Sequence, residues 1–404
     1  MKPRLVVIGN GMAGMRTIEE QLLSAPDQYA ITVFGAEPHG NYNRIMLSAV
    51  LCGDKTLEDI VINDRQWYAD NGIRLFAGEE KTVMRIDRKN RTVIALDGTV
   101  ATYDRLLIAT GSKAIIPAIP GNDLAGVISF RDIVDVNKML EYAAHSQKAV
   151  ILGGGLLGLE AANGLALRGM QVTVIHNHNV LLNRQLDQHA AALLQAELEQ
   201  RGIKFKMAAK LNALLGDADA HIRAVTFADG SELACDLFIT AIGVQPNTAL
   251  AQAAGLYCDR GIVVNDTLQT YDPIIYAVGE CIQHRGQTFG LVAPLFEQAK
   301  VCANHLSEHG VAEYVTLPTA TKLKVTGIHL FSVGDFHGDA NAEILHFTDT
   351  ALGIYKKLVI SANRLIGAVL YGDTADGAWY QELLEQKVNI ADIRNVLIFG
   401  KAYV

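Results

Sequence analysis

An α/β protein with two Rossmann-like dinucleotide-binding domains and a small C-terminal α/β domain is the fold this sequence predicts. Three features carry the prediction: a glycine-rich motif that occurs twice, apolar strands that end in glycine, and a shift to shorter strands with turn signals from about Pro318 to Val404. The first copy of the motif, Val6-Val7-Ile8-Gly9-Asn10-Gly11-Met12-Ala13-Gly14, is echoed by Val150-Ile151-Leu152-Gly153-Gly154-Gly155-Leu156-Leu157-Gly158. Each copy follows a β-branched run and opens a helical pattern, Met15 to Leu23 or Leu159 to Arg168. A second strand then ends near residue 34 or 175, so both copies read as βαβ units.

In such a unit the first glycine permits a tight turn, the second lets backbone approach a pyrophosphate, and the third lets helix pack on strand. The anion then lies at a helix N-terminus, where unpaired N–H groups and the helix dipole favour negative charge. A single motif of this kind is weak evidence, whereas two in βαβ context are strong. In the first copy Glu37 follows the strand Ile31-Thr32-Val33-Phe34, where an acid accepts hydrogen bonds from ribose hydroxyls. The second copy has His176, Asn177 and His178 after its strand, with Arg184 beyond, and no acid to repel a 2′-phosphate. These residues also suit an ordinary exposed loop, and NADH and NADPH both stay open.

Between the copies, residues 91–98 read as part of a hairpin and 103–111 as a buried strand, and Pro117 to Gly121 is a turn-rich crossing. After the second copy, 237–243 and 274–279 are buried strands ending in glycine, the latter returning to the first sheet. The expected domains are 1–117 with 247–317, then 118–246, then 318–404. Val325 to Gly334 and Leu352 to Asp373 supply strands of the last, and Trp379 to Glu385 a helix.

At about 150 residues per domain, 404 residues suit two or three domains, and 50% hydrophobic content with 19% charge builds real cores. A net charge of −8 without a basic run argues against nucleic acid as a partner. No uncharged apolar stretch reaches membrane-spanning length, and Leu5 to Ile8 is too short for a signal peptide, so a cytoplasmic address is expected. Five scattered cysteines, Cys52, Cys235, Cys258, Cys281 and Cys302, lack ligand-like spacing and fit reduced thiols. No metal site is expected.

The chain resembles the two-dinucleotide-binding flavoprotein superfamily, and within it the N-terminal flavoprotein module of assimilatory NAD(P)H-nitrite reductases, with rubredoxin and ferredoxin reductases as more distant kin. The resemblance runs essentially end to end. It is carried by Tyr42 to Ser48, Ala109-Thr110-Gly111, Gly153 to Glu160, Arg184 to Asp187, Gly243 to Asn247, Tyr276 to Cys281, Gly290 to Pro294, and Lys322 to Gly327.

The resemblance implies FAD and NAD(P)H as cofactors. Arg44 and Ser48 would line the flavin and its phosphates, and Thr110 and Gly111 would close over the FAD. Glu280, after Gly279, would stand where most of the superfamily has an aspartate binding the flavin chain. Val83 and Arg131 join this FAD set, and His176 and Gly243 join the glycines and leucines of the second copy as the NAD(P) set. Ala293-Pro294 would begin a helix aimed at the flavin ring, where its dipole stabilises negative charge. Glu160 would point to where the two rings meet. Relatives often pair it with a lysine at the position of Ala49, so either Arg44 supplies the positive partner or Glu160 is differently poised.

A disulfide reductase would need a redox cysteine pair, and only Cys52 falls in that part of the chain, three residues from the thiol position of single-cysteine relatives. It reads as a buried small hydrophobe. A flavin or NADH oxidase using oxygen directly is a further reading, and a nucleotide-binding sensor or scaffold a non-catalytic one. The expected acceptor is a redox protein: a nitrite or nitrate reductase component first, rubredoxin or ferredoxin next. The resembling nitrite reductases continue into iron–sulfur and sirohaem modules. This chain ends at Val404 with no such ligand set, which predicts that it does not reduce nitrite by itself, whether freestanding or an excised module. Apolar surface in the third domain would allow a homodimer.

Overall fold

Strands of a parallel sheet are covered on both faces and must be apolar throughout, and the segments around both glycine motifs meet that condition. The computed structural model describes residues 1–323, 325 and 327–404; Lys324 and Thr326, within the Lys322 to Gly327 motif, lie outside the described residues. Two compact units are formed, each built on a five-stranded parallel sheet.

The first unit comprises Met1–Met46, Thr56–Lys113 and Val244–Thr316. Its sheet runs in the order Ile275–Ala277, Arg105–Ile108, Arg4–Ile8, Ala30–Gly35, Arg74–Ala77. Val7 sits in register between Leu107 and Val33, all three fully buried, so the glycine motif leaves the middle strand. The helix begins at Met12, directly on the turn, and runs to Ser24, starting before the periodic pattern at Met15. It packs along the helix Val292–Leu306. The strand Val83–Asp87 pairs with Thr92–Ala95, which pairs in turn with Val100–Thr102.

The second unit comprises Leu47–Lys55, Ala114–Gly243 and Leu317–Val404. Its parallel sheet is ordered Val127–Ser129, Leu237–Thr240, Lys148–Leu152, Gln171–Ile175, Lys204–Lys206, and the second glycine motif again leaves the middle strand. The C-terminal residues add an antiparallel sheet in the order Thr321–Lys322, Leu330–Gly334, Arg364–Tyr371, Ile354–Ser361, Glu343–Asp349. The first and last of these strands were not read from the sequence, because two residues are too few to show a period and the last alternates only between exposed and half-buried positions. The helix Gly377–Glu385 closes the apolar cluster of Phe331, Leu358, Ile360 and Tyr380.

The compact units divide the chain differently from the boundaries read along the sequence. Residues 47–55 join the second unit because the helix Leu47–Cys52 packs on the helix Leu156–Leu167: a Cβ on Gly164 would lie 2.7 Å from Leu51 Cγ, and Arg168 Nε donates to the Leu51 carbonyl at 3.0 Å. The C-terminal sheet joins through Asp187. One oxygen of this carboxylate caps the helix Gln188–Gln200 by accepting from the Ala190 N–H at 3.0 Å. The other accepts from the Tyr355 hydroxyl at 2.6 Å and lies 3.5 Å from Lys357 Nζ. Lys357 is buried, so its ammonium depends on this partner. Burial, reinforced by Asp187, holds the Tyr355 phenol protonated.

Replacing Asp187 with alanine removes a helix cap and leaves a buried ammonium unpaired, and we expect a loss of about 3 kcal/mol in guanidinium unfolding. Adding Lys357→Met to that variant recovers part of it.

Candidate functional site

The two glycine turns share one anchoring bond. The Gly9 N–H donates to the Phe34 carbonyl and the Gly153 N–H to the Ile175 carbonyl, each at 2.8 Å. Both glycines have positive φ, +114° and +124°. A Cβ would lie 2.1 Å from the Ala109 carbonyl oxygen at Gly9, and 2.4 Å from that of Ala241 at Gly153. The third glycines face the first: a Cβ on Gly14 would lie 2.8 Å from Gly9 O, and one on Gly158 2.0 Å from Gly153 O. The middle glycines, Gly11 and Gly155, meet nothing within 4 Å and cap helices with no side chain bonded to the first turn. Open space beside unpaired N–H groups is what a dinucleotide pyrophosphate requires, so each turn fits one. Met12 and Ala13, and Leu156 and Leu157, form the first helical positions there.

In the first unit Glu37 lies at the end of its strand. Its Oε1 accepts from Arg44 Nη2 at 2.5 Å and its Oε2 from the Tyr42 hydroxyl at 2.7 Å. A carboxylate has about four acceptor positions, so two remain for ribose hydroxyls. Arg44, on the 3-10 turn Arg44–Met46, thus orients Glu37. Thr110 is clasped by Asn247: Thr110 Oγ1 donates to the Asn247 carbonyl at 3.0 Å, and Asn247 Nδ2 returns a bond to the Thr110 carbonyl at 2.8 Å. Gly111 follows at φ +64°. Glu280 Oε2 accepts from the Ser112 hydroxyl at 2.8 Å, and Gly279 N–H donates to Gln298 Oε1 at 2.8 Å. Pro294 stands third in its helix, not first, and costs no bond there because the first four N–H groups of a helix have no partner. Val83 is buried in the core as the first residue of its strand.

In the second unit Ser48 is buried in the helix Leu47–Cys52, Glu160 is buried in the helix Leu156–Leu167, and Arg131 precedes the helix Ile133–His145 with its N–H on Asp135. Gly243, at φ +122°, accepts through its carbonyl from the Ile115 N–H at 3.0 Å. His176, expected in the NAD(P) set, has its ring enclosed beneath the glycine turn, with Nδ1 accepting from the Gly154 N–H at 3.2 Å. Burial raises the pKa of the Cys52 thiol, against a contact from Asn163 that lowers it. Burial also raises Cys235 to about 12 and Cys281 to about 11, and all five cysteines are unpaired.

One cluster escaped the sequence reading. Asn10, inside the first glycine motif, accepts from the Tyr68 hydroxyl at 2.6 Å and donates to the His39 carbonyl at 3.1 Å, tying the turn to the loop that carries Glu37. An asparagine between two glycines was the available signal. Among the described residues no helix is long and apolar enough to cross a membrane, and no His, Cys, Asp and Glu group could hold a metal ion.

The pyridine nucleotide-disulphide oxidoreductase family matches residues 3–305, and the rubredoxin NAD+ reductase C-terminal domain matches residues 319–388. A nitrite reductase [NAD(P)H] of Bacillus subtilis (strain 168) is 46% identical over 98% of this chain and 49% of its own. The assimilatory nitrate reductase electron transfer subunit of the same organism is 45% identical over 97% of this chain and 50% of its own. The chain therefore spans about half the length of these curated relatives. The crystal structure of NADH:rubredoxin oxidoreductase from Clostridium acetobutylicum is similar with a TM-score of 0.80 and 25% identity over 99% of both chains.

The glycine geometry predicts opposite outcomes for neighbouring substitutions. Gly11→Val, set in open space, lowers stability by about 1 kcal/mol or less but abolishes retention of a bound dinucleotide through gel filtration. Gly9→Ala, driven into a carbonyl, yields no folded first unit by circular dichroism.

Proposed function

The chain belongs to the pyridine nucleotide-disulphide oxidoreductase family and is an NAD(P)H oxidoreductase that uses FAD, and on that premise we propose that it passes electrons from NAD(P)H to a protein acceptor, a component of a nitrite or nitrate reductase. The observation that carries this reading is the pair of open glycine turns, one in each unit, each suited to one dinucleotide. FAD held there would supply the hydride acceptor and one-electron donor, which leaves binding, orientation and exclusion of water to the chain.

We assign FAD to residues 1–117 and 247–317, with its pyrophosphate at Gly9, Gly11 and Gly14 and its ribose on Glu37. Arg44 and Tyr42 keep that carboxylate aimed. Thr110, Gly111 and Glu280 hold the rest of the cofactor, braced by Asn247 and Ser112. The first turn at Pro294 offers unpaired N–H groups to negative charge. NAD(P)H is assigned to residues 118–246, at Gly153, Gly155 and Gly158, with Glu160 on the same helix. Residues 318–404 are assigned as the third domain.

Support for a nitrite or nitrate reductase acceptor comes from the Bacillus subtilis relatives. The match of residues 319–388 to a rubredoxin reductase domain favours rubredoxin as the second choice. A cytoplasmic address accords with the unpaired cysteines. A homodimer belongs to the same reading.

Anaerobic stopped-flow mixing of the purified yellow protein with NADH or NADPH tests it. Bleaching of the visible flavin band within seconds, followed by recolouring on addition of the acceptor, is the expected result. Rapid oxygen consumption without an acceptor points to an oxidase instead, and no bleaching with FAD bound leaves a sensor or scaffold.

A further inference from the structure

The two glycine turns differ in one respect that their shared geometry makes visible. Because Gly9 bonds to Phe34 and Gly153 to Ile175, Gly35 and His176 occupy equivalent places, as do Asn10 and Gly154. In the first copy the side chain comes from the turn: a Cβ on Gly35 would lie 2.8 Å from Asn10 Cβ. In the second copy it comes from the strand end: a Cβ on Gly154 would lie 2.9 Å from His176 Cγ and 2.7 Å from Leu181 Cδ2. The ring fills the space that Gly154 leaves empty, and its Nδ1 takes the Gly154 N–H.

We propose that His176 is a positioning residue for the coenzyme-binding turn: its neutral ring, through Nδ1, fixes the Gly154 amide and so the backbone that receives the pyrophosphate of NAD(P)H. The proposal rests on the coenzyme assignment made above. An imidazole nitrogen that accepts an N–H is unprotonated, so the proton of the neutral ring lies on Nε2. That atom is enclosed, with the Val180 carbonyl and the Asn183 side chain as the ring's polar neighbours, neither in hydrogen-bonding geometry to Nε2. Burial, then the His178 ring 5.4 Å away, lowers the pKa of His176 below its ordinary 6.5, so the accepting form prevails at neutral pH. His178 is the titratable group that acts on it; the turn itself and Leu181 present no charge. The register also puts the exposed His178, not His176, in the place that Glu37 takes in the first copy.

The sign of the pH effect separates this role from that of a phosphate-binding cation. Protonation below pH 6.5 removes the Nδ1 acceptor and loosens the turn, whereas a cation beside a pyrophosphate would strengthen binding on protonation. Calorimetric titration of the FAD-loaded protein with NAD+ across this range is the test. We expect affinity to be full above pH 6.5 and to fall several-fold as pH drops through the lowered pKa. His176→Phe keeps the ring shape without an acceptor and should bind NAD+ about tenfold more weakly at neutral pH, the effect of one lost hydrogen bond. His176→Asn, whose Oδ1 can stand in for Nδ1, should bind within about threefold of wild type and lose the acid limb. Affinity that rises toward acid, wild-type affinity in His176→Phe, or an acid limb that survives in His176→Asn each overturns the proposal alone. Failure of the wild-type protein to bind NAD+ at any pH overturns it together with the coenzyme assignment.

Discussion

Everything at the two candidate sites depends on one close approach, that of a glycine α-carbon to the carbonyl oxygen of the neighbouring strand. Gly9 meets Ala109 and Gly153 meets Ala241 at separations that no side chain survives. The approach lets the chain turn sharply from the middle strand into a helix, and it delivers the helix's first N–H groups to open space over Gly11 or Gly155. Close packing makes this an all-or-none condition, since interiors have no slack to absorb a misplaced methyl. The helix start, the angle at which it lies on the sheet and the anion-binding surface are then set together.

Around that constraint each copy uses different polar chemistry. In the first, Asn10 reaches Tyr68 and His39, and Glu37 is held from both sides by Arg44 and Tyr42. Segments far apart in sequence are fastened at the same end of the sheet by the Thr110–Asn247 and Ser112–Glu280 bonds. In the second copy a buried histidine takes the place of the asparagine. The first arrangement fixes the carboxylate from two sides, whereas the second fixes a backbone amide of the turn itself.

Asp187 shows how one residue links levels of structure. As a helix cap it satisfies a local requirement of residues 188–200, and as the partner of Tyr355 and Lys357 it joins the C-terminal sheet to the same unit. The cap is readable from an aspartate before a helical stretch. The second role is not, since nothing local marks a lysine in a strand as buried.

The sequence by itself determined the parallel strands, the two glycine turns and the acid at Glu37, because these depend on local periodicity and on the conformational freedom of glycine within a few residues. Its resemblance to flavoproteins named candidate residues in each unit, with Ser48 and Arg131 of the expected FAD set falling in the second. Only the tertiary structure decided that Arg44 turns to Glu37, that residues 47–55 pack with the second unit, and that His176 lies beneath its turn. Each of those outcomes is a contact between segments that no sequence period connects, settled by which side chain fills which space once the sheets have formed.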